Sequence, residues 1–184
     1  MALGKDYEGQ SCSLARALEL LGERWTLLIV RDAIYGVRRY SDFLARLDTP
    51  RAVLSDRLHR LTEAGVLDRV RYSEAPPRDE YVLSDSGRQL WPIIVALSSW
   101  ADDHLTGDGP CRIFHHAGAC GRELDGAGAC PHCGRVALEE IEMTPGPGLD
   151  STRTDAVSLE LRAPHRLLAP VGSAREAEAR EVGA

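Results

Sequence analysis

Between Thr49-Pro50 and Gly65 the chain carries Leu54, Leu58 and Leu61 as one narrow apolar stripe. At 100° per residue the other side of such a helix presents Ala52, Ser55, Asp56, His59 and Arg60, with Arg51 and Arg57 on its flanks. The stripe is wide enough to anchor the helix to a core and leaves the rest free to meet a partner. Thr49 is an N-cap type, and Pro50 suits a first helical position, where no N–H is needed. Gly65 ends the pattern.

The neighbours of this helix narrow the fold further. Leu14, Ala17, Leu18 and Leu21 share one face of a helix over Ser13 to Gly22. A second helix, Trp25 to Ala33, turns Leu27, Leu28, Val30 and Ile34 toward a core. Ser41 caps a short third one carrying Phe43, Leu44 and Leu47. Two strands follow, Val66 to Tyr72 and Glu80 to Leu83, joined by the proline-rich loop from Ser73 to Arg78. Ser84 then caps a long helix whose apolar positions are Leu90, Ile93, Ile94, Leu97, Trp100, Ala101 and Leu105. Pro92 lies early in it, where a bend is expected. The order is that of a winged helix-turn-helix: mainly α, with a small β-hairpin wing. The apolar stripe of the last helix is too wide for one subunit to cover, so Leu90, Ile94, Leu97 and Trp100 are expected at a dimer interface.

The net charge of −6 at first argues against a nucleic-acid partner. Its distribution weakens the objection. From Arg38 to Arg78 arginines exceed acids by three, whereas from Thr106 onward acids exceed arginines by four. Charge acts locally, because salt screens it within about 10 Å. In helix-turn-helix proteins the N-terminal residues of the second helix read base edges. Arg51 and Ser55 therefore take the reading role, with His59 and Arg60 next. Arg57 either contacts phosphate or packs inward. The hairpin supplies Arg69, Arg71 and Arg78, with Arg78 at the tip as a clamp on the backbone. Double-stranded DNA is the expected partner. No glycine-rich phosphate loop, nucleophile elbow or Ser/His/Asp arrangement points to an enzyme. No apolar run is long enough to span a membrane, and Met1 to Gln10 is polar, so a cytoplasmic location is expected.

Several separated motifs carry a resemblance. They are Cys12-Ser-Leu-Ala-Arg-Ala-Leu-Glu-Leu-Leu-Gly-Glu-Arg-Trp-Thr-Leu-Leu-Ile-Val-Arg-Asp, Tyr40-Ser-Asp-Phe, Leu54-Ser-Asp-Arg-Leu, Glu63-Ala-Gly-Val-Leu and Tyr81-Val-Leu-Ser-Asp-Ser-Gly. Over Cys12 to Leu105 the chain resembles HxlR-type winged-helix regulators, relatives of the MarR type. The resemblance implies a homodimer that binds inverted-repeat operators, usually as a repressor and sometimes as an activator. It also implies a redox role for Cys12, since some relatives use a cysteine there as a thiol sensor. Arg16, one turn on, would favour the thiolate. An inert half-buried cysteine is the simpler alternative.

Four of the five cysteines crowd into one stretch: Cys111, Cys120, Cys130 and Cys133. Cys130-x2-Cys133-Gly is half of a zinc ribbon, because two thiolates on a tight turn can share one metal. Cys120-Gly supplies a third ligand. For the fourth, Cys111 ranks ahead of His116, with His115 also near; His132, inside the knuckle, points outward. A structural zinc is expected, and free thiols of a degenerate ribbon are the alternative. A small-molecule inducer is also compatible, held where Trp25, Trp91 and Trp100 line a pocket. The expected organisation is an arm over 1–11, the winged helix over 12–105 and a linker over 106–110. A Cys/His module over 111–143 and an acidic, mobile tail over 144–184 complete it.

Overall fold

A computed structural model describes residue 7, residues 9–118 and residues 120–174. The first helix, α1 (Ser13–Leu21), starts where the Cys12 sulfur accepts the backbone N–H of Ala15 at 3.3 Å. α2 (Thr26–Ile34) and α3 (Tyr40–Leu47) follow, with α2 at the centre of the lobe. Ile29, Val30, Ile34 and Phe43 are fully buried there. α4 (Arg51–Glu63) lays Leu54, Leu58 and Leu61 onto them, all at 0% exposure. The cap differs from expectation. Pro50 is the N-cap and no side chain bonds the first turn. Thr49 is buried instead, and its hydroxyl has no partner among the described residues.

The wing is a longer hairpin than its prolines suggest. β1 (Leu67–Glu74) pairs antiparallel with β2 (Pro77–Leu83), and pairing reaches Glu74 opposite Pro77. Pro77 is tolerated because it opens its strand at a sheet edge, where a ladder N–H is dispensable. The register shifts between Arg71 and Ser73, which leaves Tyr72 as an extra residue. A bridge from Arg39 to Glu80 adds the α2–α3 connection to this sheet. Instead of one long helix after Ser84 there are two. α5 (Asp85–Arg88) is capped by the Ser84 hydroxyl, and α6 (Trp91–His104) starts anew with Pro92 in its first turn. Proline there costs no hydrogen bond, so it begins the helix and does not bend it.

The expected boundary at residues 143/144 does not exist as a break. β3 (Arg112–His116) pairs with β4 (Ile141–Pro145), which pairs in turn with β5 (His165–Arg166). The short helix α7 (Ala156–Glu160) lies between the last two strands, capped by the Asp155 carboxylate. The stretch expected as a mobile tail is folded as far as Ala174, with Val157, Leu161, Leu167 and Val171 buried. It packs on the winged helix through backbone bonds, from Leu168 N–H to Ile34 carbonyl at 2.8 Å and Val171 N–H to Gly36 carbonyl at 3.2 Å. Side chains add to them. Asp42 accepts from the N–H and hydroxyl of Ser173, at 3.0 and 2.7 Å, and Arg46 donates to the Ser158 hydroxyl at 2.8 Å. Gly36 permits this crossing: its φ is +92°, and a Cβ there would lie 1.7 Å from the Ala169 carbonyl oxygen. Residues 175–184 of the expected tail, and most of the arm over 1–11, lie outside the described residues.

Candidate nucleic-acid interface and metal centre

α4 is held from beneath by leucine and from one flank by charge. Arg57 donates to the Glu23 carboxylate at 2.7 Å and pairs with Asp56. Its side chain is only 16% exposed, so of its two expected roles the geometry gives the inward one. Arg60 also turns back, donating to the Glu19 carbonyl at 3.2 Å and lying 3.8 Å from Glu23. It is thus half-committed to the segment from α1 to Glu23. The residues left exposed toward the start of the helix are Arg51, Ala52, Ser55, Asp56 and His59. His59 lies 3.3 Å from Glu63, one turn on. The Arg51 side chain has no ion-pair partner among the described residues. With no capping side chain, the first-turn N–H groups of α4 also stay available.

Tyr40 opens one of the motifs in the sequence, which gave it no place at the interface. Its hydroxyl donates to the Arg51 carbonyl at 3.1 Å and accepts from Ser55 at 3.3 Å, which joins the start of α3 to the exposed face of α4. On the wing, Arg69 and Arg71 both bind Asp79 across the hairpin, and these bonds hold its carboxyl below the ordinary aspartate range. Arg78 at the tip is exposed and free of ion pairs among the described residues. Arg39 stacks on the Tyr72 ring, 4.2 Å from its centroid. Tyr72 is the unpaired residue of the bulge, and no pattern in the sequence announces the contact.

The long apolar stripe of α6 divides in two. Ile94 is buried at 7% and Leu90 half-buried, so Ile94 belongs to this chain's own core and not to an interface. Leu97, Trp100 and Leu105 are exposed at 51%, 53% and 70%. Ile93 joins them, and on α1 Leu14 and Leu18 are also exposed. Of the three tryptophans, Trp91 is buried and donates to the Gly128 carbonyl at 3.1 Å, while Trp100 faces outward. Trp25 alone among them lines the large cavity described below.

Four ligand atoms of His116, Cys120, Cys130 and Cys133 lie within 4.8 Å of one another. Cys120 Sγ is 3.5 Å from Cys130 Sγ, 3.8 Å from Cys133 Sγ and 3.5 Å from His116 Nδ1. Sulfurs on one tetrahedral zinc stand about 3.8 Å apart, given Zn–S bonds of about 2.3 Å. A sulfur and an imidazole nitrogen stand about 3.5 Å apart on the same basis. The donor set and its spacing therefore fit zinc. Cys111, ranked first for the fourth place, is excluded: its thiol donates to the Gly148 carbonyl at 3.1 Å, away from the cluster. The reason is the sheet. β3 separates Cys111 from Cys120 by its full length and delivers His116, at the strand's other end, to the sulfurs.

The knuckle is built as the residue types require. Gly134 takes φ +75° after Cys133, and the Cys130 sulfur accepts the Cys133 N–H at 3.4 Å. Burial opposes a thiolate at Cys130, but the N–H groups of Cys133 and His132, with Cys120 and His116, bring it down to about 6. Loss of water on one side and the sulfurs of Cys120 and Cys130 push Cys133 up to about 11. One thiolate forms readily and the next is resisted, which a divalent cation would relieve. Cys12 is exposed and serves as the α1 cap.

Comparison with known proteins agrees with this architecture. Residues 20–108 match the HxlR-like helix-turn-helix family. Rv3095 of Mycobacterium tuberculosis, named an uncharacterized HTH-type transcriptional regulator, is 45% identical over 149 residues, which cover 79% of this chain and 92% of that protein. A match of that length must run past residue 108 into the C-terminal lobe. YvaP of Bacillus subtilis, also named an HTH-type transcriptional regulator, is 39% identical over 91 residues, covering 49% of this chain and 84% of YvaP. Among solved structures, PA1607, described as a candidate transcription factor, superposes with a TM-score of 0.56 at 31% identity. That match covers 71% of this chain and 96% of PA1607. No helix among the described residues is long and apolar enough to cross a membrane. With the recognition-type helix, the hairpin wing and these relatives in agreement, the chain belongs to the HxlR-like helix-turn-helix family of transcriptional regulators.

Proposed function

We propose that this regulator is a homodimeric repressor of an inverted-repeat operator. The observation that carries the reading is the division of labour on α4. Leu54, Leu58, Leu61 and Arg57 fasten the helix, while Arg51, Ser55 and His59 stay exposed around an uncapped N-terminus. An α-helix fits the major groove, which is about 12 Å wide. Arg51 and Ser55 read base edges, with Tyr40 fixing the backbone at Arg51. Arg78 clamps the DNA backbone from the wing tip, and Arg69 supports it only after leaving Asp79. The exposed apolar surface on α6 and α1 supports the dimer, centred on Leu97 and Trp100 with Leu90 at its margin. Two α4 helices then meet successive major grooves.

Zinc is held by His116, Cys120, Cys130 and Cys133 in a structural role, since four protein ligands leave no open position. A bound metal neutralises the sulfurs and fastens the loop from Cys120 to Cys133 onto β3. A redox input at Cys12 follows from its exposure at the start of α1, beside the same apolar surface. Diamide treatment followed by mass spectrometry tests it: a thiol that stays free while DNA binding is unchanged removes the redox role.

The experiment for the main reading is fluorescence anisotropy with the chain's own upstream DNA at two salt concentrations. Saturable binding with a steep salt slope, weakened in Arg51→Ala, supports it. If no site emerges from that DNA or from a genome-wide selection, the repressor reading falls.

A further inference from the structure

The C-terminal lobe does not merely cover the winged helix; between them lies a cavity of about 660 Å³. Its volume is in the range of small-molecule sites, roughly 300–1,000 Å³. α2, α3 and β3 bring Arg31, Arg46 and Arg112 to its wall. Arg31 and Arg46 donate to the same oxygen of the fully buried Asp32, at 2.9 and 3.0 Å. Arg112 donates to the Leu161 carbonyl and has no ion pair among the described residues. Two guanidiniums thus share one buried carboxylate, and the third, on the half-buried Arg112, meets only a neutral carbonyl. Loss of water depresses the Arg112 guanidinium; Arg46 and Arg31 add to this, while Tyr35 and Cys111 act against it.

Five acids, Asp102, Asp103, Glu123, Asp125 and Asp150, line the cavity beside four arginines, the fourth being Arg153, which is paired with Asp155; none of these acids pairs with Arg112 among the described residues. Glu123, Asp125 and Asp150 stand exposed at its mouth. Asp125 is engaged by the N–H groups of Ala127 and Ala129, and Asp150 by Thr152. On α6, burial and the adjacent Asp103 raise the Asp102 carboxyl, so it resists ionisation. The remaining wall is apolar, with Leu28, Val95, Phe114 and Leu124.

We propose that this cavity binds a small organic carboxylate, its head held by Arg112 between Arg31 and Arg46 and its body against Leu28, Val95, Phe114 and Leu124. A guanidinium fork matches a carboxylate with two parallel hydrogen bonds. The cavity touches α3, which leads into α4, and α6, which carries the exposed apolar surface. Filling it sets the distance between those helices and so the spacing of the two reading heads. That effector role rests on the regulator reading; the binding itself does not.

The test is calorimetric titration of the full, metal-loaded chain with octanoate and with benzoate, beside octanamide and inorganic phosphate. Saturable binding of a carboxylate is expected, with none of octanamide and weaker or no binding of phosphate. Arg112→Met should weaken it about tenfold or more. Ser98→Phe, which narrows the cavity from α6 and leaves every arginine in place, should weaken it as well. The proposal is overturned if neither carboxylate saturates the folded protein, or if octanamide or phosphate binds as tightly. Unchanged binding in both variants also overturns it. Failure of the regulator reading would appear elsewhere, as absent operator binding by ligand-free protein.

Discussion

Leu54, Leu58 and Leu61 reach full burial from a single periodic helix of 13 residues. Ile141 and Met143 reach nearly the same burial from a strand of five residues, and Leu161, Leu167 and Val171 do so from irregular chain on either side of the two-residue β5. The first lobe is assembled from elements that declare their buried face locally. The second has little regular structure and depends on what it packs against: β3 and β4, the His/Cys cluster, and the surface of α2 and α3. Trp91 shows how the two meet, with its ring edge-on to Phe114 at 4.9 Å and its N–H on Gly128. Short elements can form a core when a neighbouring lobe supplies the order that helical periodicity supplies elsewhere.

The sharpest way to break this contrast is to remove the metal. Cys130→Ser should abolish stoichiometric zinc and lower Tm by on the order of 10 °C. Hydrogen exchange should rise first in β3 and β4 while α4 stays protected. If α4 loses protection in step, the two lobes form one cooperative unit. Matched core truncations come next. Leu58→Ala and Leu161→Ala should each cost about 2–5 kcal/mol in denaturant unfolding, since both side chains are fully enclosed. A cost below about 1 kcal/mol for Leu161→Ala would mean the C-terminal lobe adds little to the common core.

Arginine substitutions probe the proposed DNA contacts of the first lobe. Arg51→Ala should cost about 1–3 kcal/mol of operator binding and relax specificity at one position. Arg78→Ala should weaken all sequences alike and reduce the salt slope by about 1. Arg57→Ala, bound to Glu23, should leave the salt slope unchanged and lower thermal stability instead. A salt-slope change in Arg57→Ala would mean the guanidinium leaves Glu23 on DNA. The smallest effect is expected at the seam between lobes. Asp42→Asn weakens the hold on Ser173 and should cost roughly 1 kcal/mol, read as faster proteolysis beyond residue 165. Unchanged proteolysis would place the stability of that segment in its backbone bonds to Ile34 and Gly36.

The metal cluster shows the limit of linear spacing. Cys120, Cys130 and Cys133 were legible because a knuckle is a local motif of two or three residues. The fourth position was not, because the choice between Cys111 and His116 depends on which end of β3 faces the sulfurs. Arg57 was ambiguous for the same reason: its partner, Glu23, lies 34 positions away.

The sequence by itself determined the winged helix, the exposed face of its fourth helix and three sulfurs of the cluster. Helical periodicity, glycine stops and knuckle spacing act within a few residues, so a linear reading captures them. Only the tertiary structure decided that His116 replaces Cys111, that Ile94 turns inward, and that the stretch to Ala174 is folded. It also decided that Arg31, Arg46 and Arg112 converge on one cavity. These outcomes depend on contacts between segments a hundred or more residues apart in places, such as Asp42 with Ser173. Burial and charge compensation are settled by the whole packed assembly, and no local pattern encodes them.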